Sequence, residues 1–255
     1  PVRVVQRFGW AHSLQFSPDL LSRYHQTPPG WPFILHLGEA TGGNGRREIF
    51  RLDELGALNH RTVLVHGVAL EGKGLRLART KAASLIWCPS SNLFLLGRTL
   101  GREALQSTIP VALGTDSALS GKGDLLDELQ VARRVSGLTA RDLYRMVTEQ
   151  AARVLRLENG EGTLAPGGVA DLIVLRVRRA KPAAALFQPF GLALQMVMVG
   201  GEVKLASRSL AGQLPALLRR RLRRLAVRGR GSVWVAADVP RLYRQARQVL
   251  GGEVR

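Results

Sequence analysis

Five short apolar segments in the first half of this chain are spaced too far apart to be hairpin partners, and each interval holds a helical pattern. The segments are "VRVVQRFGW" (Val2 to Trp10), "FILHL" within "WPFILHLGEA", "RTVLVHG" (Arg61 to Gly67), "ASLIWCP" (Ala83 to Pro89) and "PVALGTDS" (Pro110 to Ser117). Between them lie "SPDLLSRYH" with Ser17 as N-cap and Pro18 at the first helical position, "RREIFRLDELGAL", "LEGKGLRLARTK" and "GREALQST". Antiparallel strands can be joined by a two-residue turn, whereas parallel strands need a crossover of a dozen residues or more. The order therefore predicts a parallel sheet with crossover helices. The segments are apolar on both faces, as a sheet covered on both sides requires.

Residues capable of chemistry gather where these segments end. His12 follows the first, His36 and Glu39 close the second, and His66 closes the third. Ser90, Ser91 and Asn92 follow the fourth, and Thr115 and Asp116 the fifth. In a parallel sheet all these ends lie on one side, which in a (β/α)8 barrel is the side of the active site. One histidine at a strand end is ordinarily a hydrogen-bonded structural residue, and one aspartate before a serine a helix cap. Two histidines, a glutamate and an aspartate at successive ends form a nitrogen and oxygen donor set suited to zinc or iron.

Taken in order, "HLGEA", "VLVHG", "WCPSSN" and "VALGTDS" resemble the amidohydrolase superfamily, in its cytosine deaminase, guanine deaminase and S-adenosylhomocysteine deaminase-like branch. The helix "LTARDLYRMVTEQAARVL" followed by "GTLAPGGVADLIVL" is similar to the same branch. The resemblance implies an α/β fold: strands 4 to 8 of a partial (β/α)8 TIM-type barrel, with C-terminal strands of a small β-sandwich. It implies a divalent metal, Zn²⁺ first and Fe²⁺ second, held by His36, His66 and Asp116. His66 would ligate the metal or hold its water, Asp116 would also accept a proton, and Glu39 would carry the proton to a substrate ring nitrogen. His12 is similar to a substrate-contacting histidine, although Trp10 and Ala11 depart from that pattern. In "WCPSSN" itself, Asn92 and Ser90 could position substrate or brace the strand 7 loop. The implied activity is hydrolytic deamination of an aminated purine, pyrimidine or triazine through a metal-activated water. The alternatives are hydrolysis of a cyclic amide or a C–Cl bond, and an inactive scaffold that binds an anionic partner.

The superfamily's H-x-H pair does not occur in these 255 residues. The expectation is that the chain is the C-terminal part of a longer gene product, divided into 1–160 (barrel), 161–206 (sandwich strands) and 207–255 (a basic, helical extension). Strands are expected at "DLIVLRVRR" and "LALQMVMVGGEVKL", with a turn at Gly200 and Gly201, and helix from Leu210 to "VPRLYRQARQVL". The stripe Leu242, Ala246 and Val249 could then dock on the barrel or on a second subunit, making a homo-oligomer.

Other features carry less. The net charge of +18 would suggest a polyanionic partner. The dense cluster "LLRRRLRRLAVRGRGS" has no interleaved aromatic side chains, so a solvated helix face is preferred over a nucleic-acid surface. Cys88, the single cysteine, sits between Trp87 and Pro89 in an apolar strand and reads as a small buried hydrophobe, not a nucleophile. It also fits a reducing compartment, and with no run of about 18 apolar residues and no signal-type N-terminus the expected location is cytoplasmic, off the membrane. "GGNG" (Gly42 to Gly45) reads as a loop.

Overall fold

The computed structural model describes residues 4–177, 181–187, 194–227 and 231–251. Of the predicted elements, residues 2–3, 178–179, 192–193 and 228–230 lie outside the described residues. The chain divides into two compact units, one spanning residues 5–165 and the other comprising residues 1–4 and 166–255. Among the described residues no helix is long and apolar enough to cross a membrane.

The first unit is an α/β fold on a parallel sheet, as in a partial (β/α)8 barrel. Its strands are β1 (Gly9–Ala11), β2 (Phe33–Leu37), β3 (Thr62–His66), β4 (Ser84–Trp87) and β5 (Val111–Leu113), paired in sequence order and all parallel. The crossovers are α1 (Leu20–Gln26), α2 (Gly43–Glu54), α3 (Gly72–Thr80), and α4 (Pro89–Leu96) with α5 (Arg102–Leu105). Three more helices follow: α6 (Leu125–Ser136), α7 (Ala140–Met146) and α8 (Glu149–Val154). Phe33, Leu35, Leu64, Leu85 and Trp87 are fully buried, with Ile49, Leu52, Leu129 and Leu143 from the helices. On the sheet's other face Val63 and Ala112 pack with Ile34 and Ile86.

Several boundaries differ from the sequence reading. The first strand is only Gly9–Ala11, because pairing with Phe33–Leu35 sets it; residues 4–8 are irregular despite their β-branched content, and Val4 is 71% exposed. The N-cap of α1 is Asp19, not Ser17, whose hydroxyl instead accepts the His12 N–H at 2.8 Å. Gly43 to Gly45, read as loop, form the first turn of α2. "PSSNLFLL", where Pro89 is expected to end a strand and Ser90 and Asn92 to lie in a loop, is α4, with proline in its first turn and Gly97 in the left-handed conformation at its end. That pair is a helix signature.

The second unit carries an antiparallel sheet in the order β6-β7-β8-β10-β9. Its strands are β6 (Leu172–Leu175), β7 (Leu194–Val199), β8 (Glu202–Ser207), β9 (Arg223–Val227) and β10 (Gly231–Val235). Gly200 and Gly201, both at positive φ, make the expected turn between β7 and β8. The expectation of continuous helix from Leu210 is corrected here. Among the described residues of this unit the helices are α9 (Pro182–Ala185), α10 (Arg208–Ala211), α11 (Ala216–Arg219) and α12 (Val239–Leu250), and part of the arginine cluster is β9, paired with β10. Leu225 and Val227 alternate with more exposed neighbours, which is strand periodicity. Val203, Ala206, Ala211 and Leu222 form this unit's core with Trp234 and Met196. The α12 helix has no buried residue, and Leu242 and Val249 are exposed.

One close approach links the fold to the loop after β2. A Cβ on Gly45 would lie 2.8 Å from the Ala40 Cβ and 3.0 Å from the Ala69 Cβ, neither of which can rotate away. Helix propensity favours Gly45→Ala by about 0.5–1 kcal/mol, while overpacking a tight contact costs about 1–3 kcal/mol. Gly45→Ala should therefore lower the melting temperature; a rise, measured by calorimetry, would show that this contact is loose.

Candidate metal centre

Parallel register decides which strand-end residues can meet. His36 pairs with Val65, and Leu37 with His66. Simple alternation would then put His66 on the face opposite His36. It does not, because His66 adopts φ +73° and leaves strand geometry. The His36 and His66 rings consequently stack with centroids 5.2 Å apart. Asp116, beyond β5, also sits at positive φ, +58°. A left-handed non-glycine residue costs about 1–3 kcal/mol, and such positions gather at functional sites. Each of His36, His66 and Asp116 offers one ligand atom, and these atoms lie within 4.8 Å of one another.

The surrounding residues orient these donors. His36 Nδ1 is 2.7 Å from the His12 carbonyl oxygen, which also accepts the His36 backbone N–H at 2.9 Å. His66 Nδ1 is 2.7 Å from Asn92 Oδ1. Both partners are acceptors, so each Nδ1 carries the proton and each Nε2 presents its lone pair. An acceptor behind each histidine is what a metal-binding imidazole requires. The donor set therefore fits a divalent cation.

Asp116 accepts hydrogen bonds from the hydroxyls of Ser91 and of Ser120, the latter at 3.0 Å. Burial alone would raise its carboxyl, but those hydroxyls, His66 and the Ser117 backbone outweigh it and hold the pKa below the usual aspartate value. Glu39 Oε2 lies 3.5 Å from His66 Nε2, and the Glu39 side chain is about one-third exposed. The exposed His12 ring lies 4.8 Å from the His36 ring. His12, His36, Glu39, His66, Asn92 and Asp116 thus fall in one connected group.

Asn92, expected to touch substrate or brace the loop, is buried at 1% exposure between His66 and Thr99 Oγ1. Its place is behind His66. Ser90 is tied to Glu128, a fully buried carboxyl on α6 that accepts both its N–H, at 3.1 Å, and its hydroxyl. Glu128 thereby anchors the start of α4, whose next two residues, Ser91 and Asn92, hold Asp116 and His66. Burial pushes the Cys88 thiol up, and the Asp116 and Glu128 charges push it further, which opposes a nucleophilic thiolate. Sequence reasoning missed Glu128 and also Glu48, on α2, whose Oε2 accepts the Gly38 N–H at 2.6 Å.

The chain belongs to the amidohydrolase family, whose model matches residues 34–204. It is 31% identical over 176 residues to a 5-methylthioadenosine/S-adenosylhomocysteine deaminase of Pyrococcus abyssi, covering 62% of this chain and 41% of that protein. It is 28% identical over 186 residues to a 5′-deoxyadenosine deaminase of Methanothermobacter thermautotrophicus, covering 66% of this chain and 43% of that protein. The chain thus spans about two fifths of the length of these curated relatives. An adenosine deaminase from Xanthomonas campestris with bound zinc shares the fold at a TM-score of 0.71 and 21% identity, over 94% of this chain and 55% of that one. Atrazine chlorohydrolase from Arthrobacter aurescens, complexed with zinc, aligns at 0.65 and 23% identity, over 76% of this chain and 49% of that one.

A carboxyl with a depressed folded-state pKa stabilises the fold above its unfolded value, and that contribution is lost as pH falls through the folded value. Metal-free Asp116→Asn, which keeps a residue type tolerant of positive φ, should melt below the parent at pH 7. The gap should close as pH drops below the ordinary aspartate value of 3.8. Melting curves across pH with a constant gap would show that the Asp116 charge contributes nothing.

Proposed function

We propose that this chain supplies one side of the active centre of a zinc-dependent aminohydrolase acting on an aminated heterocycle. In this reading β1 to β5 correspond to strands 4 to 8 of a (β/α)8 barrel, and the antiparallel sheet to the C-terminal strands of a small sandwich. The observation that carries it is the convergence of His36, His66 and Asp116 within 4.8 Å, with Glu39 beside them. The deaminase names of the sequence relatives favour release of a ring amine, and an adenine-type ring first, over cyclic amide or C–Cl hydrolysis.

His36, His66 and Asp116 would hold the ion. Zinc supplies a Lewis acid there and lowers the pKa of a water toward about 7. The residues of the chain do the rest. Asp116, kept ionised by Ser91 and Ser120, accepts a proton from the attacking water. Glu39, close to His66 and partly open to solvent, delivers a proton to the ring nitrogen beside the carbon that bears the amine. Protonation at that nitrogen lets the ring take up the water oxygen; the proton held by Asp116 passes to the amine, which leaves as ammonia, and the proton left on the added oxygen returns to Glu39 as the ring carbonyl forms. Asn92 fixes the His66 tautomer from behind, and the exposed His12 ring is placed to meet the substrate.

The test is ammonia release by the full-length gene product across aminopurine nucleosides, aminopyrimidines and aminotriazines, with zinc measured in parallel. Glu39→Gln should keep zinc and lose turnover by about 10²- to 10⁴-fold, the range for removal of a general acid or base. His36→Ala should lose zinc and turnover together. A Glu39→Gln variant as active as the parent would refute the proton-carrier role.

A further inference from the structure

The loop between His36 and Glu39 is held from two directions. The Gly38 carbonyl accepts the Ala69 N–H at 2.9 Å, which ties the loop to the turn after β3. Its N–H donates to Glu48 Oε2 at 2.6 Å, the short distance of a charge-assisted hydrogen bond. Gly38 itself is buried and at φ +68°, a left-handed position between the metal-facing histidine and Glu39. The reach of Glu48 is fixed by its helix, because Gly45, one turn earlier on α2, packs against Ala40 and Ala69 on either side of the same loop.

We infer that Glu48 is a positioning residue for Glu39: by gripping the Gly38 amide it sets the point from which the Glu39 carboxylate faces His66 at 3.5 Å. The inference rests on the reading of Glu39 as proton carrier. A structural role in the helix alone would not place the Glu48 carboxyl on this amide, where it is about half-buried beside a second carboxylate. Burial pushes Glu48 up, the Gly38 N–H opposes this, and the charge of Glu39 adds to the rise. A like-charged neighbour is unfavourable, so the placement is explained by what it fixes.

The test compares Glu48→Gln, Glu48→Leu and Glu48→Asp in the full-length gene product, on the panel substrate that turns over fastest. In the Leu and Asp variants kcat should fall by up to about 100-fold, the scale that a displacement of about 1 Å carries, with KM and zinc content held. Glu48→Gln should return toward the parent rate, because its amide oxygen still accepts from Gly38. Glu48→Asp keeps the charge but is too short to reach, and it decides the matter if the Leu variant does not fold. An Asp variant at the parent rate, or a Gln variant as slow as Leu, overturns the inference. Glu39→Gln in parallel separates the two failures: if it is slow while the Glu48 variants are not, only this inference falls; if it is fast, the functional reading falls with it. A readout independent of turnover is the Gly38 amide resonance, expected downfield and slow to exchange in the parent and Gln proteins and neither in Leu and Asp. The same Gly38 signal in all four would also overturn the inference.

Discussion

The site depends on one backbone constraint, the parallel register of β2 and β3 combined with a left-handed residue at the end of β3. Register brings the ends of both strands to the same level, with Leu37 beside His66. Without the +73° φ of His66, alternation would turn its imidazole away from His36 into the layer occupied by Leu37 and Leu64. A cost of about 1–3 kcal/mol at such a residue is bearable only where other interactions over-determine it. Those are visible: the Nδ1 hydrogen bond to Asn92, the ring stacked on His36, and the neighbouring Gly67, itself at positive φ, whose N–H donates to the Leu37 carbonyl at 3.0 Å.

Support for the donors comes from a small number of elements outside them. The first turn of α4 provides Ser91 for Asp116 and Asn92 for His66, so one rigid helix sets two donors at once. Glu128 on α6 holds that turn through Ser90. The residue just after β1 contributes a carbonyl, that of His12, which fixes His36 whatever side chain stands there. On the opposite side α2 grips the loop that carries Glu39. Precision in such a site comes from locked supporting groups rather than from the donors themselves.

The grouping of His36, His66 and Asp116 was legible in the sequence because all three stand at or just past the ends of apolar runs; singly, each would read as a structural histidine or a helix cap. The supporting residues were not. Glu48 and Glu128 stand on helices where an acidic residue is ordinary, and their partners lie 10 and 38 residues away. Nothing local distinguishes them. The α4 helix was hidden because its apolar residues run together without a 3.6-residue period, although Pro89 and Gly97 marked its ends. The β9 and β10 hairpin was hidden by arginine density, which suggested a solvated helix and masked the short alternation of Leu225 and Val227. Residues 4–8 show the converse: strand propensity without a paired partner does not make a strand.

The most direct measurement of the central claim is anomalous diffraction at the zinc edge from crystals of the zinc-loaded, full-length gene product. The account predicts a peak at bonding distance from a His36 imidazole nitrogen and an Asp116 carboxylate oxygen, with His66 alongside and Glu39 outside the bonding shell. A peak bonded to Glu39 in place of Asp116, or one remote from His36, would contradict it.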